Sequence, residues 1–398
     1  MKKSYVSYAA ILACGLVGAH AALADDAAPA STALALPTYA GTISANANPL
    51  SIAAGPLGKV YVSGVLSGFG KTQTKAVTGD KDDRLDLSNA QLIVQTTEGL
   101  VQFYVQGGAY DTPSLGTAGL SSDKNSRLFG SIPVAFAKLV PSDSFSIYAG
   151  KLPTLIGGEY AFSFENLNIE RGLLWNQENV INNGVQANYT IGPVALNAAL
   201  TTGYYGDKLS YGSAAATYTI NTENSAYVQA GVPLYKNKYS RTVSGVAVTS
   251  PVYNNSQQYV VGYTYNSAPL LISPYAQATY VPKYKAIGVD KATATYGAAL
   301  LAAYSFPEGK LAGVSLPVRL EYITSTGSAT DGSTSLIYGA GSGAYSFTVT
   351  PTYQKDIFFA RVEGSYVKAE SATAGSAFGS NGTSKSQLRA LAEVGVAF

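Results

Sequence analysis

The sequence predicts an all-β fold: a transmembrane up-and-down antiparallel β-barrel of about sixteen strands, with short turns at one end and long loops at the other. Three observations predict it. From Gly58 onward, apolar side chains recur at every second position, the period of a strand whose two faces meet different surroundings. Only 13% of the 398 residues are charged while 46% are hydrophobic, and soluble domains carry roughly 25% charge. No stretch beyond residue 24 is apolar for the ~20 residues a spanning helix needs. The apolar surface is therefore spread over many short strands. A soluble β-sandwich also alternates, but it would scatter charge over its outer faces, and here charge is scarce and one-sided.

The N-terminus reads as a secretory signal peptide, residues 1–24. Lys2 and Lys3 precede an apolar stretch from Tyr5 to Val17, and Ala22-Leu23-Ala24 gives a small-x-small cleavage pattern. A lipoprotein site at Cys14 is the rival reading, but it leaves an unusually short apolar region. Cleavage removes the one Cys and the one His, Cys14 and His20. It also takes Lys2 and Lys3, so the 26 basic residues fall to 24 and balance the 24 acidic ones. A neutral chain gives no footprint for nucleic acid. Residues 25–57, rich in Ala, Pro, Ser and Asn, read as a periplasmic linker or disordered arm. Residues 58–398 form the barrel.

Its strands follow from alternation. In LVQFYVQ, Val101, Phe103 and Val105 oppose Gln102, Tyr104 and Gln106. In GVQANYTI, Val185, Ala187, Tyr189 and Ile191 oppose Gln186, Asn188 and Thr190. QYVVGYTY and AYSFTVTPTYQ repeat the pattern at roughly ten residues each, the length of a tilted spanning strand. Short turns are expected near residues 97–99, 141–143, 192–193, 221–224, 267–269, 307–310 and 355–356. Longer loops are expected at 71–83, 111–129, 152–183, 205–208, 235–256, 282–291, 325–342 and 370–386. Seven turns and eight loops join sixteen strands, and both chain ends fall on the short-turn side. Aromatic residues then gather near both rims. Tyr189, Tyr218, Tyr265, Phe306, Tyr353, Phe358 and Phe398 lie on the turn side, and Phe69, Tyr204, Tyr280, Tyr322 and Tyr366 on the loop side, as membrane interfaces require.

Charge on the strands keeps one parity. Arg84 with Asp86, Arg319 with Glu321, Arg361 with Glu363, and Arg389 with Glu393 each share a face. At the lipid midplane an Arg would cost ~2–4 kcal/mol, so these residues, together with Lys151, are expected to line the lumen. Each pair is expected chiefly to neutralise itself; a transverse field acting on a solute is the alternative. The longest loop, 152–183, carries Glu159, Glu165, Glu170, Arg171 and Glu178, with Phe162, Phe164 and Trp175. Folded inward, it would form a constriction whose four carboxylates against one arginine favour cations. The alternative is an external loop or hairpin. The acidic run Asp80-Lys81-Asp82-Asp83 reads as a solvated loop. The mature chain has no His or Cys for a Ser-His-Asp site, zinc or iron, so no cofactor and no enzyme activity are expected.

The stretch GKLPTLIGGE, then FENLNIERGLLW and NNGVQANYTI, resembles the OmpL-like β-barrel porin family. The positions are Gly150, Lys151, Thr154, Gly157, Glu159, Gly184, Val185 and Tyr189. The likeness runs over residues 58–210 and is faint beyond. It implies a porin in the outer membrane of a Gram-negative bacterium but supplies no solute. In outer-membrane barrels generally, a terminal aromatic such as Phe398 is thought to signal to the barrel assembly machinery. By analogy with sixteen-stranded porins a homotrimer is expected, set among bilayer lipid and lipopolysaccharide. The expected function is a passive, water-filled channel for small hydrophilic solutes, narrowed by loop 152–183, with modest or no charge selectivity. A plugged barrel acting as a structural or surface-interaction protein is the alternative, and an enzyme ranks last.

Overall fold

A computed structural model describes residues 41–243 and 246–398. The expected signal peptide and residues 25–40 of the arm lie outside the described residues. A short strand β1 (Leu50–Ala53) precedes β2 (Lys59–Gln73), β3 (Asp83–Thr96), β4 (Val101–Tyr110), β5 (Val134–Ser142) and β6 (Phe145–Pro153). Then come β7 (Ile181–Ile191), β8 (Val194–Thr201), β9 (Tyr211–Thr219) and β10 (Asn224–Pro233). A loop hairpin follows, β11 (Arg241–Val243) and β12 (Val246–Thr249). The wall resumes with β13 (Gln257–Ser267), β14 (Leu270–Val281), β15 (Thr293–Ser305) and β16 (Val314–Ser325). It ends with β17 (Gly343–Val349), β18 (Thr352–Lys355), β19 (Phe358–Glu370) and β20 (Ser386–Ala397).

Wall neighbours pair antiparallel in chain order, and β20 pairs back onto β2 to close the barrel. β17 and β18 are halves of one wall strand, parted at Thr350-Pro351, where proline cannot donate to the ladder. β1 pairs with β2 just below the end of β20. The wall thus has sixteen strands, as the alternation predicts. Closure is what hydrocarbon demands, since every backbone polar group must be paired and no edge left open. The seven turns and eight loops fall where expected, within a few residues.

Burial is inverted relative to a soluble protein. Outward positions are exposed and apolar, among them Leu66, Val228, Val261, Phe347 and Val394. Inward positions are buried and often polar, among them Gln91, Gln186, Gln229, Thr348 and Ser365. Rim aromatics face outward as expected at Tyr189, Tyr218, Tyr353, Phe358 and Phe398, and at Tyr280, Tyr322 and Tyr366. Two expected girdle members do not. Phe69 shares the inward face of β2 with Ser67 and Lys71, packs with Ile169 and Leu391, and lies under the Arg84 guanidinium. Tyr204 is buried in a loop and donates to Gln177 O.

The last residue closes the seam. Phe398 donates its N–H to Gly64 O at 2.9 Å and accepts from Gly64 N–H at 2.7 Å. Its ring lies over Gly64, where a Cβ would stand 2.7 Å from both Phe398 Cζ and the Gln91 carbonyl oxygen. The backbone cannot yield there. Gly64→Val is therefore expected to cut sharply the fraction of protein migrating as the compact, heat-modifiable form in unboiled SDS gels. Gly70→Ala, whose Cβ would find its nearest atom 3.9 Å away on Leu85, should leave that fraction unchanged.

Candidate functional site: the lumen and its inward loop

Strand parity sends Arg319, Glu321, Arg361, Glu363, Arg389 and Glu393 inward on β16, β19 and β20, and all six are buried. The loop between β6 and β7, residues 154–180, lies against them. It has little regular structure, two single-turn 3-10 segments, so it leaves many of its own buried amides and carbonyls to be met from outside it. The wall charges do so instead. Glu363 accepts the N–H groups of Ile169 at 2.5 Å and Glu170 at 3.1 Å. Glu321 accepts those of Leu173 at 3.0 Å and Leu174 at 3.1 Å. Arg361 donates to the carbonyls of Ser163 at 2.9 Å and Asn166 at 3.1 Å. Arg319 donates to Glu170 O at 2.6 Å.

The four loop carboxylates do not form a free acidic ring. Glu159 pairs with Arg319 at 2.6 Å and accepts Gly172 N–H at 2.7 Å. Glu170 pairs with Arg389 at 2.7 Å. Glu165 turns back to the N–H of Phe162 at 2.9 Å, and burial pushes its carboxyl up to about 8. Glu178 is buried beside the Gly158 amide with no ion pair among the described residues, and burial, then the Glu159 charge, raises it well above the carboxylate range. Arg171 is buried too, which lowers it to about 10. It sits 5.5 Å from the Trp175 ring and in no ion pair among the described residues.

The expectation of self-neutralising pairs is only partly met. Arg319 and Glu321 do approach, at 3.4 Å. Arg361 instead pairs across the ladder with Glu393, its Nε donating at 3.0 Å. Arg389 reaches Glu170 and, at 3.8 Å, Asp80 rather than Glu393. Arg84 bonds chiefly to Asp111, with Asp86 only 3.9 Å away, and Asp86 holds Ser122 of the 111–133 loop. Arg361 finds its partner on the neighbouring strand, which lies nearer, at about 4.8 Å, than a residue two along the same strand, while Arg389 and Arg84 turn to loop carboxylates. Asp80, read as solvated, is buried against Lys71 at 2.9 Å. Lys151 does not line the lumen. It pairs with Ala135 and Asn183 on the side opposite Leu152, and its ammonium bends over the rim to the Phe129 and Ile132 carbonyls.

Sixteen strands with a polar inner face and one long loop folded inward are the architecture of a porin. The chain belongs to the family described as Putative beta-barrel porin-2, OmpL-like, which matches residues 59–398. No curated protein matches the sequence. Solved structures match the fold. OmpT of Vibrio cholerae is 12% identical, with a TM-score of 0.57 over 88% of this chain and 100% of that one. The outer membrane channel DcaP of Acinetobacter baumannii is 13% identical, with 0.55 over 85% and 97%. An anion-selective porin from Comamonas acidovorans is 14% identical, with 0.54 over 85% and 99%. The chain is an outer-membrane protein of the Gram-negative kind.

This porin also uses residues that the sequence reading passed over. Gln229 accepts Gly157 N–H at 2.7 Å, while Gln258 and Gln277 donate to the Gln177 and Leu174 carbonyls at 2.7 and 3.1 Å. They extend the loop's anchorage to β10, β13 and β14. The available signal was a glutamine at an inward position in each of three strands. Two results are expected. Glu363→Ala strips the Ile169 and Glu170 amides of acceptors, at about 1–3 kcal/mol per orphaned group. Proteolytic nicking within residues 163–174 of folded barrels should rise, and the exposed Glu308→Ala should change nothing. Glu165 binds its proton more tightly folded than unfolded, so it is neutral-cost below about 4.5, costs stability increasingly as pH rises toward about 8, and adds no further cost beyond. Glu165→Gln should therefore raise the melting temperature more at pH 9 than at pH 5, by at least about 2 °C.

Proposed function

We propose that this porin is a water-filled channel through which small hydrophilic solutes diffuse passively, narrowed by loop 154–180. The observation carrying this reading is the loop's lopsided anchorage. Its hydrogen bonds to the wall concentrate on β10, β13, β14, β16, β19 and β20. The facing sector, β6 to β9, meets the loop through apolar contacts, Tyr148, Leu152 and Ile181 clustering with Phe162 and Phe164, and beside them carries a polar amide band. There Gln186 donates to Asn188 at 2.6 Å, Asn188 to Ser146 at 3.2 Å, and Asn197 to Asn188 at 2.8 Å. In this reading the passage opens between that amide band, whose side chains are buried in this structure, and the loop. With Glu159 and Glu170 paired and Glu165 and Glu178 favoured neutral, no acidic ring faces the path, so selectivity is weak rather than cationic.

The protein performs no chemistry on its solute in this reading. Lipopolysaccharide surrounds the outer rim, Phe398 marks the last strand for the assembly machinery, and three copies associate as in other sixteen-stranded porins. The second reading, a plugged barrel, draws on one observation: nearly every inward side chain is shielded by the loops. Planar-bilayer recording separates the two. The purified barrel should give discrete conductance steps with a reversal potential near zero in a salt gradient. Deleting residues 159–178 should enlarge the steps, and Asn188→Trp should shrink them. A barrel that never conducts, before and after the deletion, sinks the channel reading in favour of the plug.

A further inference from the structure

We infer that the periplasmic mouth holds a peptide-receiving cradle filled by the chain's own residues 41–46, which act as a displaceable plug beneath the inward loop. Three observations place this segment inside the barrel. Ile43 is 1% exposed and joins one apolar cluster with Val65, Ile93, Phe359 and Ala397, all inward residues on β2, β3, β19 and β20. Ser44 and Gln354 exchange two hydrogen bonds, Ser44 N–H donating at 2.7 Å and the Gln354 amide donating to Ser44 O at 3.0 Å. Gly41 is buried against the loop itself, where a Cβ would stand 2.3 Å from the Asn166 carbonyl oxygen.

The geometry makes a tethered flap. Gln354 lies beside the β18–β19 turn, at the short-turn rim. Asn166 lies deeper, where Arg361 holds it. The segment therefore runs from rim to loop. Its other end is fixed, because β1 pairs residue for residue with Lys59–Val62 of β2. Among the described residues no ion pair holds residues 41–46, in contrast to the charge-locked loop above them. What seats them is one isoleucine side chain, one glutamine clamp and one glycine contact. Such a seat suits a plug that leaves while the barrel and loop stay intact. The cradle takes an uncharged segment, bent over residues 41–43, with a glycine two residues before a branched apolar side chain.

The inference rests on the channel reading, so the test carries a readout independent of conductance. Full-length protein is compared with a chain lacking residues 41–46 and with the Gly41→Val/Ile43→Asp variant, which unseats the segment without shortening it. Each is also made with Ile93→Cys beneath the plug, for labelling by a water-soluble thiol reagent. Severalfold larger or more frequent conductance steps, with faster thiol labelling at position 93, are expected in both altered chains. In a Ser44→Cys/Gln354→Cys protein, oxidation should hold conductance low and reduction should restore it. Equal conductance and equal labelling in all chains overturn the plug while leaving the channel reading standing. Faster labelling in chains that never conduct supports the plug and overturns the channel reading instead.

Discussion

The organising interaction is the exchange of hydrogen bonds between charged side chains of the wall and the naked backbone of loop 154–180. A buried segment without helix or sheet has amides and carbonyls that water no longer reaches, at about 1–3 kcal/mol for each one left alone. Glu363 and Glu321 each accept two consecutive amides, Arg361 donates to the preceding Ser163 and Asn166 carbonyls, and Arg319 to the Glu170 carbonyl. Carboxylate and guanidinium are suited to this because one accepts at two oxygens and the other donates from a planar fork. The loop's conformation is thus written on the wall, one strand at a time.

This explains why the charges survive burial at all. An isolated buried ion pair is weak evidence for stability, since desolvation rivals the attraction. Here the buried ions of β20 each have several partners. Glu393 receives Ser67 and Ser163 hydroxyls besides Arg361, and Arg389 reaches Gln73, Ser114 and Thr117 besides Glu170. The 111–133 loop is drawn into the same network through Arg389 and Arg84. The long-loop end is therefore assembled by the same sector of wall that holds the inward loop.

The fold was legible because its signal is local. Alternation fixes which side each residue takes, and Pro, Gly and Asn mark the turns, so strand number and connection lengths follow without knowing any partner. The inward parity of Arg319, Glu321, Arg361, Glu363, Arg389 and Glu393 was legible for the same reason. Their partners were not. Arg361 meets Glu393 across the ladder, and Glu363 meets amides 193 and 194 residues away. Sequence spacing pairs i with i+2, while the closed sheet brings neighbouring strands to about 4.8 Å. Phe69 misled because an aromatic near a rim suits either face, and only its parity with Ser67 and Lys71 decides. The buried arm gave no periodic signal, because a six-residue segment seated by one Ile43 has none to give.

A division of mobility follows from the kinds of contact. Moving loop 154–180 would strand several buried charges together, which costs far more than moving any single neutral group. The loop is therefore a fixed element of the lumen, and the charges that hold it set its register. Residues 41–46 meet the barrel through an apolar side chain and amide hydrogen bonds, each worth only about 1 kcal/mol net. Motion belongs at the short-turn end, where the contacts are few and neutral, and not at the loop, where they are many and charged.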